Sequence, residues 1–144
     1  MKIRKIDVVD LTAERIPKVF KEKDIQYNAV DNVNWPSDYP YKPDFKFAIA
    51  HNGKNIFIHY KVSEKTSRAV VDRDCGRVWE DSCVEFFFAP DENGYYNFEC
   101  TCIGKLLIAY GPDCHERQQS PREALEMVGR WASIGTEPFA EKPC

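Results

Sequence analysis

The sequence lacks any apolar run approaching the ~20 residues that cross a bilayer as a helix, so no membrane partner is expected. It also lacks a basic excess. Lys and Arg number 20 against 23 Asp and Glu, a formal net charge of -3 with the signs interspersed, so no nucleic-acid partner is expected either. Met1-Lys2-Ile3-Arg4-Lys5-Ile6 carries basic residues but no long apolar stretch and no small-residue cleavage site. The expectation is a cytoplasmic chain without an export signal. Internal repeats and low-complexity segments are absent, and 144 residues are one domain's worth of sequence.

Six cysteines, Cys75, Cys83, Cys100, Cys102, Cys114 and Cys144, are expected to be reduced thiols in that compartment. Cys83, Cys100 and Cys102 read as strand residues packed as small hydrophobes. A zinc site from Cys100, Cys102, Cys114 and His115 lacks the usual two-residue spacer. Calcium among Asp72, Asp74, Asp91, Glu92 and Asn93 has the right oxygen chemistry but no known loop spacing. No metal or other cofactor is therefore assigned.

What is present is aromatic, at 13% of residues, in short apolar segments between Gly and Pro, which points to an all-β fold. Phe45–Ala50 and Asn55–Val62 flank a His51-Asn52-Gly53-Lys54 turn and read as a hairpin. A second hairpin runs from Val78 to Cys102 through Asp91-Glu92-Asn93-Gly94. Alternation on its outgoing strand sets Trp79, Asp81, Cys83 and Glu85 on one side, with Ser82, Val84, Phe86 and Phe88 on the other, the natural core face. The return strand divides into Tyr96, Phe98, Cys100 and Cys102 against Tyr95, Asn97, Glu99 and Thr101. A three-residue loop with Gly94 left-handed buries both apolar sets together, pairs Phe87 with Glu99, and leaves Glu85 and Glu99 as diagonal neighbours.

Elsewhere, Pro17 interrupts the helical pattern of Leu11–Lys23, so residues 1–27 read as an extended lead-in with at most one turn. The loop Asn28–Pro43 is punctuated by proline, and its Trp35, Tyr39 and Tyr41 are expected to pack down onto the body. Ser63–Arg77 is a polar connection able to fold over the polar face. Lys105–Tyr110 is a further strand, Ser120-Pro121-Arg122-Glu123 opens a short helix near 121–129 with Ser120 as cap, and Trp131–Gly135 starts another strand.

The runs Trp79-Glu80-Asp81-Ser82-Cys83-Val84-Glu85-Phe86-Phe87 and Tyr95-Tyr96-Asn97-Phe98-Glu99, with Ile103-Gly104, resemble the family 9 carbohydrate-binding module and its bacterial relatives, over roughly Trp35 to Phe139. The resemblance implies one DOMON-like antiparallel β-sandwich over residues 1–144, immunoglobulin- or jelly-roll-like. It also implies that the family's last strands are lacking, so exposed sheet edges lead one to expect a homodimer or larger assembly. In sugar-binding members a tryptophan stacks on the sugar and a carboxylate six residues later accepts from its hydroxyls, a pair that Trp79 and Glu85 match. Asn97 keeps the amide of the next strand, while Glu99 stands where those members carry an arginine.

The function so implied is non-catalytic saccharide binding in polysaccharide degradation, through Trp79, Asp81, Glu85, Asn97 and Glu99, with no catalytic residue. The bland alternative makes Trp79 a core aromatic and Glu85 a carboxylate satisfied by Arg77 or Arg117. An enzyme reading makes Glu85 and Glu99 a glycosidase pair, which needs carboxylates about 5–10 Å apart. Haem binding, known in other DOMON-like domains, would draw on Met1 and Met127 with His51, His59 and His115, which show no recognisable pairing.

Overall fold

The hairpin read at Phe45–Val62 forms as β3 (Asp44–His51) and β4 (Ile56–Ser63), paired in full antiparallel register from Asp44–Ser63 to His51–Ile56. The structure is a computed structural model that describes residues 2–143. Met1 and Cys144, drawn on above for the haem and thiol readings, lie outside the described residues. The free edge of β3 takes two short additions, β1 (Arg4–Lys5) in parallel and β2 (Asn28–Ala29) antiparallel. These strands belong to one compact unit, which runs to Lys65; a second spans Thr66–Pro143.

Leu11–Lys23 is helical where an extended lead-in is expected. A 3-10 turn at Ala13–Arg15 runs into α1 (Ile16–Glu22), with Pro17 in the first turn, where its missing N–H costs no hydrogen bond. The spacing of Ile16, Val19 and Phe20 gives one apolar stripe. Phe20, fully buried, packs with Ile6, Ile25, Ala48, Ala50 and Phe57. The loop before β3 departs in the other direction: Trp35, Tyr39 and Tyr41 remain exposed at 65%, 72% and 47%, rather than packed down.

The second unit is built on a four-stranded antiparallel sheet in the order β6-β7-β8-β9, from β6 (Cys83–Phe88), β7 (Tyr95–Thr101), β8 (Leu106–Gly111) and β9 (Gln118–Gln119). The connection read as polar loop contains β5 (Thr66–Ala69), which pairs with β10 (Phe139–Pro143). The strand expected at Trp131–Gly135 is a turn, with Gly135 at φ +90 donating its N–H to the Ala132 carbonyl; the strand lies further on. The helix near 121–129 is α2 (Arg122–Glu126), with Pro121 rather than Ser120 in the cap position and no side-chain cap bond. Its Leu125 buries against Leu106 and Ile108, while Met127 just after it is exposed.

The hairpin register differs from the three-residue loop. Six residues, Ala89–Gly94, join the strands, and Glu85 stands directly opposite Glu99, with Phe87 opposite Asn97. Gly94 is not left-handed. It is required by crowding, because a Cβ there would lie 2.7 Å from the Gly111 carbonyl oxygen on β8. A shift of two keeps the faces, so the two alternating sets survive. Their burial is reversed along β7, where Asn97, Glu99 and Thr101 are buried and Tyr96, Phe98 and Cys100 only partly so.

Truncating the best-buried ring of the first unit, Phe20→Ala, is expected to cost about 3–5 kcal/mol. Urea unfolding followed by circular dichroism checks this. A loss below about 1 kcal/mol would mean that α1 does not anchor on its sheet.

Candidate functional site

The polar face of the central strand β7 is covered because the chain before β6 folds across it. Val78 is fully buried against Leu107 and Ala109, with Val71 beside them, as the Ser63–Arg77 connection is expected to do. Gly76 permits the fold, since a Cβ there would come within 2.6 Å of the Val71 side chain. This covering also displaces Trp79 from the strand where sequence reading puts it. Val78–Glu80 is a 3-10 turn resting against β6 and β7, and β6 begins only at Cys83. Trp79 is 54% exposed on that turn, so it is not a core aromatic.

Asp81 ends the turn with its side chain out of water. One oxygen accepts from the Val71 N–H at 2.8 Å, and the other from Arg68 Nε at 3.3 Å. Arg68 and Ser82 complete the brace by exchanging backbone and hydroxyl hydrogen bonds. Both oxygens of Asp81 are thus engaged in holding the cover.

Glu99 and Asn97 differ from it. Asn97, 1% exposed, donates from Nδ2 to Glu99 Oε1 at 2.7 Å within the buried face. Asn97 Oδ1 and Glu99 Oε2 are themselves buried without a partner, and so is Arg117 Nη1. Arg117 enters the sequence reading only as a counter-ion for Glu85; here its charge acts on Glu99. It arrives through a close crossing, because Gly111 at the end of β8 has Arg117 Cα 2.7 Å from where a Cβ would sit. The guanidinium lies 5.7 Å from the Tyr95 ring, and Tyr95 lies 5.8 Å from Phe87. Cation, tyrosine and phenylalanine therefore form a wall beside the Asn97–Glu99 floor, with exposed Glu85 opposite Glu99. Arg77, the other counter-ion considered, pairs with Glu80 at 3.2 Å.

Burial and the facing Glu85 raise the Glu99 carboxyl above its ordinary range, against Arg117 and the Asn97 amide, which lower it. Burial first, and then the carboxylates around it, push the Cys83 thiol up to about 12, and burial holds Cys100 at about 11. The five described cysteines are all free of disulfides. Among the described residues no three His, Cys, Asp or Glu side chains gather as a metal site. Asp91 accepts from the Asn93 N–H and shapes the turn.

Two clefts lie elsewhere. One, of about 370 Å³, surrounds Asp74, Gly104, Lys105, Arg130 and Trp131; the other, of about 630 Å³, runs along Lys5–Asp10 and Asn52. In the first, Arg130 and Asp74 pair through two bonds of 2.7 and 3.0 Å, and Arg130 also donates to the Gly104 carbonyl. In the second, Asn52 is bonded to the backbone of Val8, Lys54 and Asn55. Buried groups still lacking partners are a stronger mark of a binding site than open volume, since leaving them unpaired costs free energy.

Residues 14–144 match the model of carbohydrate-binding family 9. The chain belongs to carbohydrate-binding family 9. Its all-β, sandwich-like fold is shared with a solved structure at 45% sequence identity and a TM-score of 0.93, a protein of Bacteroides uniformis ATCC 8492 proposed to bind carbohydrate. The alignment covers 99% of this chain and 66% of that one, so this chain spans just under two thirds of its neighbour. No curated protein matches it. The family match begins 21 residues before Trp35, where the sequence resemblance starts, and so takes in α1.

In this family 9 domain Glu99 holds its proton more tightly folded than unfolded. The stability it contributes is present at low pH and is lost as pH rises through the raised folded value. Urea unfolding from about pH 4 to 8 is expected to show a decline in the wild type that is flatter in Glu99→Gln; parallel profiles would count against a strained carboxyl. Thiols held that high also resist alkylation. After iodoacetamide at about pH 8, peptide mass spectrometry is expected to find exposed Cys114 modified and Cys83 and Cys100 intact.

Proposed function

We propose that this family 9 domain binds saccharide without catalysis, with Asn97, Glu99 and Arg117 as the polar floor, Glu85 as a further hydroxyl partner and Trp79 as the stacking ring. The observation that carries the reading is the set of three buried, partnerless atoms: two acceptors, Asn97 Oδ1 and Glu99 Oε2, and one donor, Arg117 Nη1. A hydroxyl both donates and accepts, so a sugar offers the chemistry that each of the three lacks. An exposed indole on a turn that rests against β6 and β7 supplies a flat apolar surface for the apolar face of a sugar ring. Family membership and the Bacteroides uniformis neighbour support the same ligand class.

Asp81 stands apart from this set. With both oxygens occupied it fits a brace better than a sugar contact. Arg117 replaces it, and accounts for the strand position at which Glu99 stands instead of an arginine: the cation comes from the segment entering β9, two strands away in the sheet. We read the module as one family domain spanning both compact units.

One observation favours a second reading, hydrolysis. Glu85 and Glu99 are directly opposed, and the raised Glu99 carboxyl is what a general acid needs. Glu99→Gln separates the two, since a hydrolase loses turnover while a binding module has none to lose.

Isothermal titration against a panel of mono- and oligosaccharides is expected to give saturable heat. Asn97→Ala is expected to weaken binding about fivefold to tenfold, the worth of one or two neutral hydrogen bonds, and Trp79→Ala by a comparable factor. Unchanged affinity in both variants would remove this face as the site. No heat with any sugar, from folded protein, would remove the function.

A further inference from the structure

The exposed aromatics before β3 are the part of the first unit that packing does not explain. The base of their loop is tied down: Lys42 Nζ meets Asp31 Oδ1 at 2.8 Å, and the Tyr41 hydroxyl accepts from the Lys65 N–H at 2.8 Å, with Lys65 Nζ 5.1 Å from the Tyr41 ring. Its tip is ordered as well. The Trp35 carbonyl accepts from the N–H groups of Asp38 at 3.2 Å and Tyr39 at 2.8 Å, which closes one helical turn with Pro36 in its first position. Residues four apart on a helical turn lie on the same side, about 5–6 Å between Cβ atoms. Trp35 and Tyr39 are therefore presented together, at 65% and 72% exposure, by a segment anchored at its base.

We propose that this turn is a second saccharide-binding platform, on which Trp35 and Tyr39 stack against sugar rings of a polysaccharide chain. The inference rests on the saccharide reading above. Trp and Tyr pair an apolar face with a polar edge, the combination that covers a pyranose face while leaving its hydroxyls hydrated. The residues between the two rings are Pro36, Ser37 and Asp38, with the Ser37 hydroxyl 3.4 Å from the Asp38 carboxylate. Those are hydroxyl partners at the rim. Two rings on one turn also offer far less than the ~800 Å² a side that a specific protein interface buries. Two rings side by side engage adjacent sugar units, so a polymer gains from the platform where a monosaccharide engages one ring.

The test is affinity electrophoresis of the whole chain through gels containing xylan, β-glucan or galactomannan, alongside titration with glucose, xylose, mannose and galactose. Wild type, Trp35→Ala/Tyr39→Ala and Asn97→Ala are compared, with Tyr39→Ser as a milder variant should the double variant not fold. The expected result is retardation of the wild type by at least one polymer. It is weakened about tenfold in the double variant, the summed effect of two stacking rings, while monosaccharide heat is unchanged. Asn97→Ala is expected to weaken monosaccharide binding about fivefold to tenfold and to keep part of the retardation. Equal retardation of wild type and the Trp35/Tyr39 variants overturns the platform. So does a wild type that takes monosaccharides but no polymer, which leaves the Asn97–Glu99 site standing. A wild type that binds no sugar in either assay overturns both.

Discussion

The local structure of the second unit is organised around one constraint, a carboxylate held nearly out of water on a central strand and directly opposite a second carboxylate. Glu99 has one oxygen on the Asn97 amide and the other without a partner, faces Glu85 across the sheet, and has Arg117 as the compensating charge. Like charges directly opposed on paired strands repel, and burial strengthens every such term. The arrangement persists because elements on both sides support it. The Val71–Val78 segment packs on Leu107 and Ala109 beside β7, and the segment entering β9 brings the guanidinium.

Both supports depend on close approach at a glycine, to a side chain at Gly76 and to backbone at Gly111. At Gly76 a methyl would strike Val71, and at Gly111 it would strike Glu116 and Arg117. Neither glycine has a left-handed φ, so space rather than conformational freedom explains them. Gly94 belongs with them, lying against Gly111. The loop after β6, the end of β8 and the entry to β9 thus meet where the two glycines face each other.

This explains which parts were legible in the sequence. Alternation of side chains gave the two hairpins and the correct partition of their faces, because parity survives a register shift of two. The register departs from the expected one, since Asn93-Gly94 signals a tight hairpin only when its glycine is free to serve the turn, and here Gly94 lies against a neighbouring strand. Burial was inverted for a related reason. Hydropathy assigns the apolar set to the core, whereas Val71 and Val78, remote in sequence from β7, cover the polar set. Pro17 misled by position, being harmless in a first turn. Arg117 could be named but not placed, because its approach to Glu99 is fixed by a crossing rather than by any spacing along the chain.

Two buried carboxylates in one unit show what separates bracing from binding. The Asp81 side chain is fully buried, yet a backbone N–H and a guanidinium take up its two oxygens, and removing it would loosen the segment packed beside β7. Glu99 is in contact with one amide and under the influence of one cation, and it leaves an acceptor unused. A fold that needed Glu99 only for structure would be better served by an apolar residue, since a partly satisfied buried carboxylate costs more than it returns. Its presence there, beside an amide and a guanidinium that also have unused atoms, is the feature on which the proposed saccharide reading rests.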